Sequence, residues 1–76
     1  MTNSLSQLLD VADKVRQFLS IQSYSISHYQ DGCRVSLTAG NIFDPKPIVQ
    51  MVGDHYVRFY AKDDTVIIII YEIQEE

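Results

Sequence analysis

Residues 65–73 read Thr-Val-Ile-Ile-Ile-Ile-Tyr-Glu-Ile, the most apolar and most β-branched stretch of the chain. Branching at Cβ restricts side-chain rotation in a helix and suits a pleated strand, so this stretch predicts a β-strand. Alternate side chains of a strand point to opposite faces, which separates Val66, Ile68 and Ile70 from Ile67, Ile69, Tyr71 and Ile73. Both sets are apolar, and a strand of that kind is covered on both sides. The fold therefore depends on what covers each face of the sheet that contains this strand.

Length and composition predict one small globular domain, residues 1–76. The chain has 46% hydrophobic and 21% charged residues and a formal charge of −4. An acidic chain argues against an anionic membrane or a nucleic-acid backbone as partner, because both attract basic surfaces. Cys33 is the single cysteine, which excludes an intrachain disulfide and suits a reducing compartment. With no secretory signal pattern and no apolar run of about 20 residues, the sequence predicts a cytoplasmic protein.

Residues 4 to about 22 predict an amphipathic helix. Ser4 and Gln7 have the spacing of a capping box, in which each side chain bonds a backbone amide of the first turn. Apolar residues recur at spacings of three and four and form one stripe: Leu5, Leu8, Leu9, Ala12, Val15, Phe18 and Leu19. A single stripe is typical of a helix that covers one face of a sheet.

Residues 24–39 predict a β-hairpin with Asp31-Gly32 as its two-residue turn, because a type I′ turn needs positive φ at both positions and these residue types tolerate it. Such a turn pairs Gln30 with Cys33, Tyr29 with Arg34, His28 with Val35, Ser27 with Ser36 and Ile26 with Leu37. The predicted apolar face holds Tyr24, Ile26, His28, Cys33, Val35 and Leu37. The predicted polar face holds Ser25, Ser27, Tyr29, Arg34, Ser36 and Thr38.

The second half of the chain predicts a short helix followed by a second hairpin. Asp44-Pro45 favours a helix start, and Gly53 favours its end. Alternating residues from 54 or 55 to 62 predict a third strand, which Asp63-Asp64 connects to the strand at 65–73. This turn predicts four pairs: Phe59 with Ile68, Val57 with Ile70, Tyr60 with Ile67 and Arg58 with Ile69.

The predicted fold class is α+β: a four-stranded, mostly antiparallel sheet made of two hairpins, with the N-terminal helix on one face and a short helix between the hairpins. The sequence leaves the strand order open. One helix covers one side, so the opposite face of the second hairpin is predicted to be a protein-interaction surface. Tyrosine and arginine among aliphatic residues are typical of such surfaces, and the predicted contact residues are Tyr56, Arg58, Tyr60, Ile67, Ile69 and Tyr71. The alternative is that the short helix, the segment 40–53 or the solvated tail 74–76 folds over this face.

The predicted function is a non-enzymatic protein-binding or regulatory module. The predicted partner is a second copy of the chain, in a homodimer, or else another protein. The alternative is an acidic inhibitor that blocks the nucleic-acid-binding groove of a partner, since the chain is itself acidic. Direct nucleic-acid binding, in which exposed tyrosines stack bases, is the weaker expectation because of the same negative charge.

Catalysis or metal binding would depend on Cys33, His28 and His55. The predicted register makes Cys33 and His28 diagonal neighbours on one face, where a thiolate–imidazole pair is geometrically possible. His55 could join them around a metal ion, but a zinc site needs three or four ligands and these spacings match no metal motif. Phosphate-binding loops and the G-x-S-x-G motif are absent from the sequence. The sequence therefore predicts no enzyme activity, no cofactor and no metal site.

Overall fold

The computed structural model describes residues 4–21, 23–40 and 44–73. Two helices and four strands follow one another as α1 (Ser4–Phe18), β1 (Ser25–Tyr29), β2 (Gly32–Ala39), α2 (Lys46–Val52), β3 (Val57–Lys62) and β4 (Thr65–Tyr71). The strands form one antiparallel sheet in the order β1-β2-β4-β3. The predicted α+β fold class is confirmed. The isoleucine-rich strand β4 is central, with β2 and β3 as its neighbours.

Both helices pack on one side of the sheet, which we call the inner face. The core combines buried residues of α1, of α2 and of the two central strands: Leu8, Ala12, Val15, Ile48, Val52, Val35, Leu37, Ile68 and Ile70. Helix α2 therefore lies on the same side as α1, and the expectation that the short helix folds over the opposite face is wrong. Residues 41–43 and 74–76, the other candidates for covering that face, lie outside the described residues.

Helix α1 ends at Phe18, about one turn earlier than predicted. Ser20 adopts a left-handed conformation with φ of 56°. The Ser20 amide donates to the carbonyl of Gln17 at 3.2 Å, and the Ile21 amide donates to the carbonyl of Arg16 at 2.9 Å. These two bonds form a Schellman motif, which ends a helix by satisfying its last carbonyl groups.

The buried stripe of α1 is narrower than the sequence predicts. Leu8, Ala12 and Val15 are fully buried, whereas Phe18 is 52% exposed, so its predicted place in the stripe is wrong. The side chain of Ser4, to which the capping box was assigned, lies outside the described residues. The helix is therefore held to the sheet by this buried central row, with Leu5, Val11 and Leu19 partly buried beside it.

The first hairpin is present, but its predicted register is wrong by two residues. The turn residues are Gln30 and Asp31, so Tyr29 pairs with Gly32 and His28 pairs with Cys33. Gly32 has φ of 122°, which favours glycine, and the glycine therefore follows the turn instead of lying within it. A shift by an even number of residues preserves the faces of the strands, so the predicted apolar and polar faces remain on opposite sides.

The connection between the hairpins contains the predicted short helix, but the helix starts one residue later than predicted: its N-cap is Pro45 and not Asp44. Helix α2 begins at Lys46, whose amide donates to Asp44 Oδ1 at 3.1 Å, and Gly53 with φ of 59° follows its last residue. The amide of His55 then donates to the carbonyl of Val52 at 3.0 Å. This turn keeps residues 53–55 out of the ladder, so β3 starts later than predicted.

The second hairpin has the predicted turn, and all four predicted pairs are confirmed. Asp63 adopts φ of 55°, and the Thr65 hydroxyl donates to the carbonyl of Lys62 at 2.8 Å across the turn. Strand β3 begins at Val57 and β4 ends at Tyr71, so both are shorter than predicted.

Candidate functional site

The strand side chains that point away from the helices form a surface that we call the outer face. It contains Ser25, Ser27, Tyr29, Arg34, Ser36, Thr38, Arg58, Tyr60, Lys62, Thr65, Ile67, Ile69 and Tyr71. Tyr56 belongs to it as well, because the Tyr71 amide donates to the Tyr56 carbonyl at 2.8 Å and extends the ladder by one pair. The structure thus places all six predicted contact residues on one surface.

The isoleucines of the outer face are only half-exposed, which differs from the open aliphatic surface that the sequence suggests. Ile69 lies between Ser36 and Arg58 on the neighbouring strands, and Ile67 lies opposite Tyr60. Tyr60 is itself 43% exposed. Cross-strand neighbours on one face are close enough for long side chains to shield each other. The outer face therefore presents mainly tyrosine and arginine to solvent, with the aliphatic residues partly beneath them.

The Arg34 side chain contacts three other parts of the chain: β1, the turn of the first hairpin and β4. Its guanidinium carbon lies 4.0 Å from the ring centre of Tyr29 and 4.8 Å from that of Tyr71. Its Nη2 also forms an ion pair with Asp31 Oδ2 at 3.2 Å. Guanidinium groups over tyrosine rings are attracted to the ring electrons, and each such contact restricts the long arginine side chain. Arg34 is thus fixed in place before any partner binds.

Arg58 lies in a second group of tyrosines on the same face. The rings of Tyr56 and Tyr71 are 5.1 Å apart at 56° to each other, and Arg58 lies 5.6 Å from the ring centre of Tyr60. A hydrogen bond with the Tyr71 side chain, followed by the electrostatic influence of Tyr60 and Tyr56, raises the pKa of the Arg58 guanidinium. No ion pair between described residues includes Arg58. This exposed cation is therefore surrounded by tyrosines instead of carboxylates.

The sheet is basic although the chain is acidic. The four strands contain three basic residues, Arg34, Arg58 and Lys62, and no acidic residue. All three basic residues occupy outer-face positions. The described acidic residues lie in α1, in the loops, at the hairpin turns and just after β4: Asp10, Asp13, Asp31, Asp44, Asp54, Asp63, Asp64 and Glu72. The outer face thus carries the basic residues of the sheet, and carboxylates border it at the turns and after β4.

A small cleft adjoins the tyrosine and arginine groups. Its volume is about 200 Å³, and its lining residues are Asp31, Cys33, Arg34, Tyr56, Tyr71 and Glu72. The Glu72 carboxylate accepts a hydrogen bond from the Cys33 amide at 2.8 Å. Arg34 Nε is buried there without a hydrogen-bond partner among the described residues. The cleft combines charges of both signs with aromatic rings, which is a lining suited to a polar side chain of a partner.

Cys33 and His28 are directly opposite each other, not diagonal neighbours as predicted. Cys33 Sγ lies 3.1 Å from His28 Nδ1. Burial raises the pKa of the Cys33 thiol, and the charge and hydrogen bond of Glu72 raise it further. A nucleophilic cysteine needs the opposite shift, because the thiolate is the reactive form. The geometry of a thiol–imidazole pair is present, but its electrostatics oppose activation.

His55 does not join that pair. It is buried, and its Nδ1 donates to the carbonyl of Val52 at 2.9 Å. Its Nε2 has no hydrogen-bond partner in the described part of the chain. In residues 4–21, 23–40 and 44–73 no three His, Cys, Asp or Glu side chains are placed to share a metal ion. His55 is thus a residue of the turn after α2.

Tyr29 and Arg34 belong to this surface but were not among the predicted contact residues. The sequence places them correctly on the polar face of the first hairpin. Their relation to Tyr71 depends on the pairing of β2 with β4, which only the structure supplies. The available signal was an aromatic residue of β1 and a basic residue of β2 on the same predicted face of the first hairpin.

Comparison with known proteins adds no family. No protein-family model matches the chain, and no curated protein or solved structure is significantly similar to it. Neither of the two described helices has the length and apolar character needed to cross a membrane.

Proposed function

We propose that this chain is a non-enzymatic protein-binding or regulatory module that uses its outer face, either for a second copy in a homodimer or for another protein. The observation that carries the proposal is the arrangement of Arg34, Tyr71, Tyr56 and Arg58 on the side of the sheet that both described helices leave uncovered. The proposal includes action in the cytoplasm, where a single unpaired cysteine is stable.

Tyrosine and arginine are the residue types that contribute most to protein interfaces. Their large side chains bury much area for little loss of rotamer freedom, and arginine forms several hydrogen bonds at once. The contacts of Arg34 with Tyr29 and Tyr71 fix these groups in advance. Prior ordering lowers the entropy that binding must overcome. The outer face is therefore better suited to binding than a surface of mobile side chains.

Light scattering behind a sizing column, over a range of protein concentrations, tests the choice between the two partners. A mass of twice the monomer supports the homodimer. A monomer at every concentration removes the homodimer and leaves another protein as the partner. In that case, cross-linking in host extract compares the complexes of the native chain with those of outer-face variants.

The variant Ile69→Asp tests whether the outer face is the surface used. It places a carboxylate at a half-exposed position and is expected to abolish the complex while the chain stays folded, as followed by circular dichroism. Ile26→Asp is the control, because Ile26 is a strand isoleucine on the opposite side of the sheet; at 41% exposure it is more exposed than the half-buried Ile69. Equal loss of the complex in both variants would contradict the proposal. An unfolded Ile69→Asp chain would place Ile69 in the core of the monomer.

The competing proposal, an enzyme or metal protein based on Cys33, His28 and His55, has its own test. Metal analysis of the purified chain, together with the variant Cys33→Ala, separates the two classes. A stoichiometric metal ion that Cys33→Ala removes with the fold intact would support the metal protein and overturn the interaction module. A metal-free chain whose stability and partner binding are unchanged in Cys33→Ala would dispose of the competing class. The acidic inhibitor is distinguished by its binding surface, which would include Asp10 and Asp54 instead of the outer face.

A further inference from the structure

The charge of the outer face bears on which protein it accommodates. Arg34, Arg58 and Lys62 lie on one surface, and no acidic residue lies among the strand positions around them. A face-to-face pair of identical chains would bring two copies of this basic strand surface together. Like charges across an interface oppose association, whereas a negatively charged partner is attracted. The face is therefore complementary to a partner unlike itself.

The two arginines differ in whether a carboxylate of the chain already pairs with them. Arg34 already pairs with Asp31 and lies over two tyrosine rings. Arg58 is exposed, has tyrosines around it and forms no ion pair with any described residue. A guanidinium presents a planar fork that fits a carboxylate with two parallel hydrogen bonds. Arg58 is accordingly the arginine at which a carboxylate of a partner would contribute most to binding.

Lys62 adds a second cationic position on the same strand. It is exposed and lies four residues beyond Arg58 on the same face of β3. Four residues of an extended strand span about 13 Å, because each residue advances about 3.3 Å. Residues four apart in a helix are only about 6 Å apart. Two carboxylates four residues apart therefore reach both cations only from an extended segment.

The surface between the two cations favours a peptide over a nucleic acid. Ile67 and Ile69 lie beside this stretch of β3 and offer aliphatic contacts, which suit apolar side chains. The rings of Tyr60, Tyr71 and Tyr29 already have guanidinium groups over them. Base stacking on those rings would compete with these contacts.

We infer that the outer face binds an extended acidic segment of a different protein, with two carboxylates four residues apart over Arg58 and Lys62 and an apolar residue between them over Ile67 and Ile69. This inference rests on the proposed protein-binding function. It replaces the second copy of the chain with a partner of defined chemistry: acidic residues at both ends of a short alternating segment, apolar in its middle.

Selection of random dodecapeptides displayed on phage, with the full chain immobilised, tests the inference. The native chain is expected to enrich Asp or Glu at positions four apart with an apolar residue midway. The double variant Arg58→Glu/Lys62→Glu is expected to enrich Lys and Arg instead and to bind the native-selected peptides at least about tenfold more weakly. Circular dichroism confirms that each variant is folded.

The double variant Lys14→Glu/Lys46→Glu is the matched control. It makes the same change in formal charge at exposed residues of α1 and α2, on the opposite side of the molecule. It is expected to enrich the same acidic peptides as the native chain, with affinities changed by less than about twofold. If both double variants weaken binding equally, the effect is one of net charge, and the inference is wrong.

Other outcomes separate failure of the inference from failure of the proposed function. If the enriched peptides have no acidic residues but their binding depends on outer-face residues, the inference of an acidic segment is wrong and the proposed binding function stands. The same holds for a stable dimer that Ile69→Asp dissolves. Tighter binding of fluorescent oligothymidylate than of any selected peptide, abolished by Arg58→Glu/Lys62→Glu, would assign the face to nucleic acid. No enriched peptide, no dimer and no oligonucleotide binding would overturn both proposals.

Discussion

The two faces of the sheet use the same strands for different purposes. In β4, Ile68 and Ile70 point to the inner face and are fully buried under the helices, whereas Ile67 and Ile69 point to the outer face and are half-exposed. The inner face is covered by separate elements of the chain. Within the part of the chain that the structure describes, the outer face is covered only in part, by arginine and tyrosine side chains of its own strands.

This difference shows that the burial of each isoleucine in β4 depends on which element packs against its face of the sheet. An isoleucine beneath a helix adds to stability, because its whole side chain leaves water. An isoleucine beneath Arg58 or Tyr60 contributes less to stability, because part of its side chain stays in contact with water. That part is available to a partner. The inner face thus accounts for folding and the outer face is the candidate for function, and each prediction below can separate the two.

The largest expected difference is between Ile68→Ala and Ile69→Ala. Removing the buried Ile68 side chain leaves a cavity and is expected to lower the free energy of unfolding by about 2–5 kcal/mol. A chain of 76 residues has roughly 4–11 kcal/mol in total, so this variant is expected to be close to unfolding. Ile69→Ala is expected to cost about 1 kcal/mol, since the side chain is half-exposed. Urea unfolding measures both, and equal losses would mean that the outer face is as buried as the inner one.

A smaller effect is expected from the arginines of the outer face. Arg34→Met removes contacts with the rings of Tyr29 and Tyr71 but also removes the buried, unpartnered Nε. The expected net loss of stability is about 1 kcal/mol. Arg58→Met, at an exposed position, is expected to change stability by less than about 0.5 kcal/mol. Chemical unfolding of both variants checks the ranking, and a larger loss in Arg58→Met would contradict the account of a prearranged Arg34.

A modest gain is expected at the end of α1, on the inner side. Ser20 adopts a left-handed conformation, which glycine reaches without steric cost. Ser20→Gly is therefore expected to raise the free energy of unfolding by up to about 1 kcal/mol, with part of the gain offset by the flexibility of glycine in the unfolded chain. Ser6→Gly, within α1, is the control and is expected to destabilise. Destabilisation in both variants would show that the Schellman motif does not end this helix.

The smallest effect concerns Cys33, which is half-buried on the inner side. Because burial and Glu72 raise the pKa of its thiol, less thiolate is present at a given pH than in an unfolded chain. Alkylation by iodoacetamide should be slower in the folded protein, with a midpoint at higher pH than in urea. Glu72→Gln is expected to shift the midpoint down, since it removes a negative charge. A folded midpoint below the unfolded one would indicate an activated cysteine and revive a catalytic role.

The same shift gives a stability dependence on pH with a definite sign. A thiol whose pKa is raised in the folded state stabilises the fold in its protonated form. That contribution is present below the pKa of the unfolded thiol and decreases as the pH rises through the folded value. Cys33→Ser is expected to flatten this part of the stability curve.

Local sequence patterns determined the elements and the second hairpin. The β-branched run fixed β4, the apolar spacing fixed α1, and Asp63-Asp64 fixed the register with β3, since each signal acts within a few residues. The first turn was predicted one residue late, because positive φ at Gly32 suits both a glycine within a turn and one after it. The end of α1 was missed because Ser20 carries no glycine signal for a left-handed residue.

Tertiary structure alone decided the strand order, the side on which α2 packs and the assembly of the outer face. Arg34 and Tyr71 are far apart in sequence and meet only because β2 pairs with β4. Apolar periodicity predicts that a face is buried but does not predict which element covers it. The apolar side of helix α2 could have packed on either face of the sheet. The sequence by itself therefore determined what the strands and helices are. Long-range pairing decided which cations and rings share a surface, because those contacts depend on distances that no local pattern records.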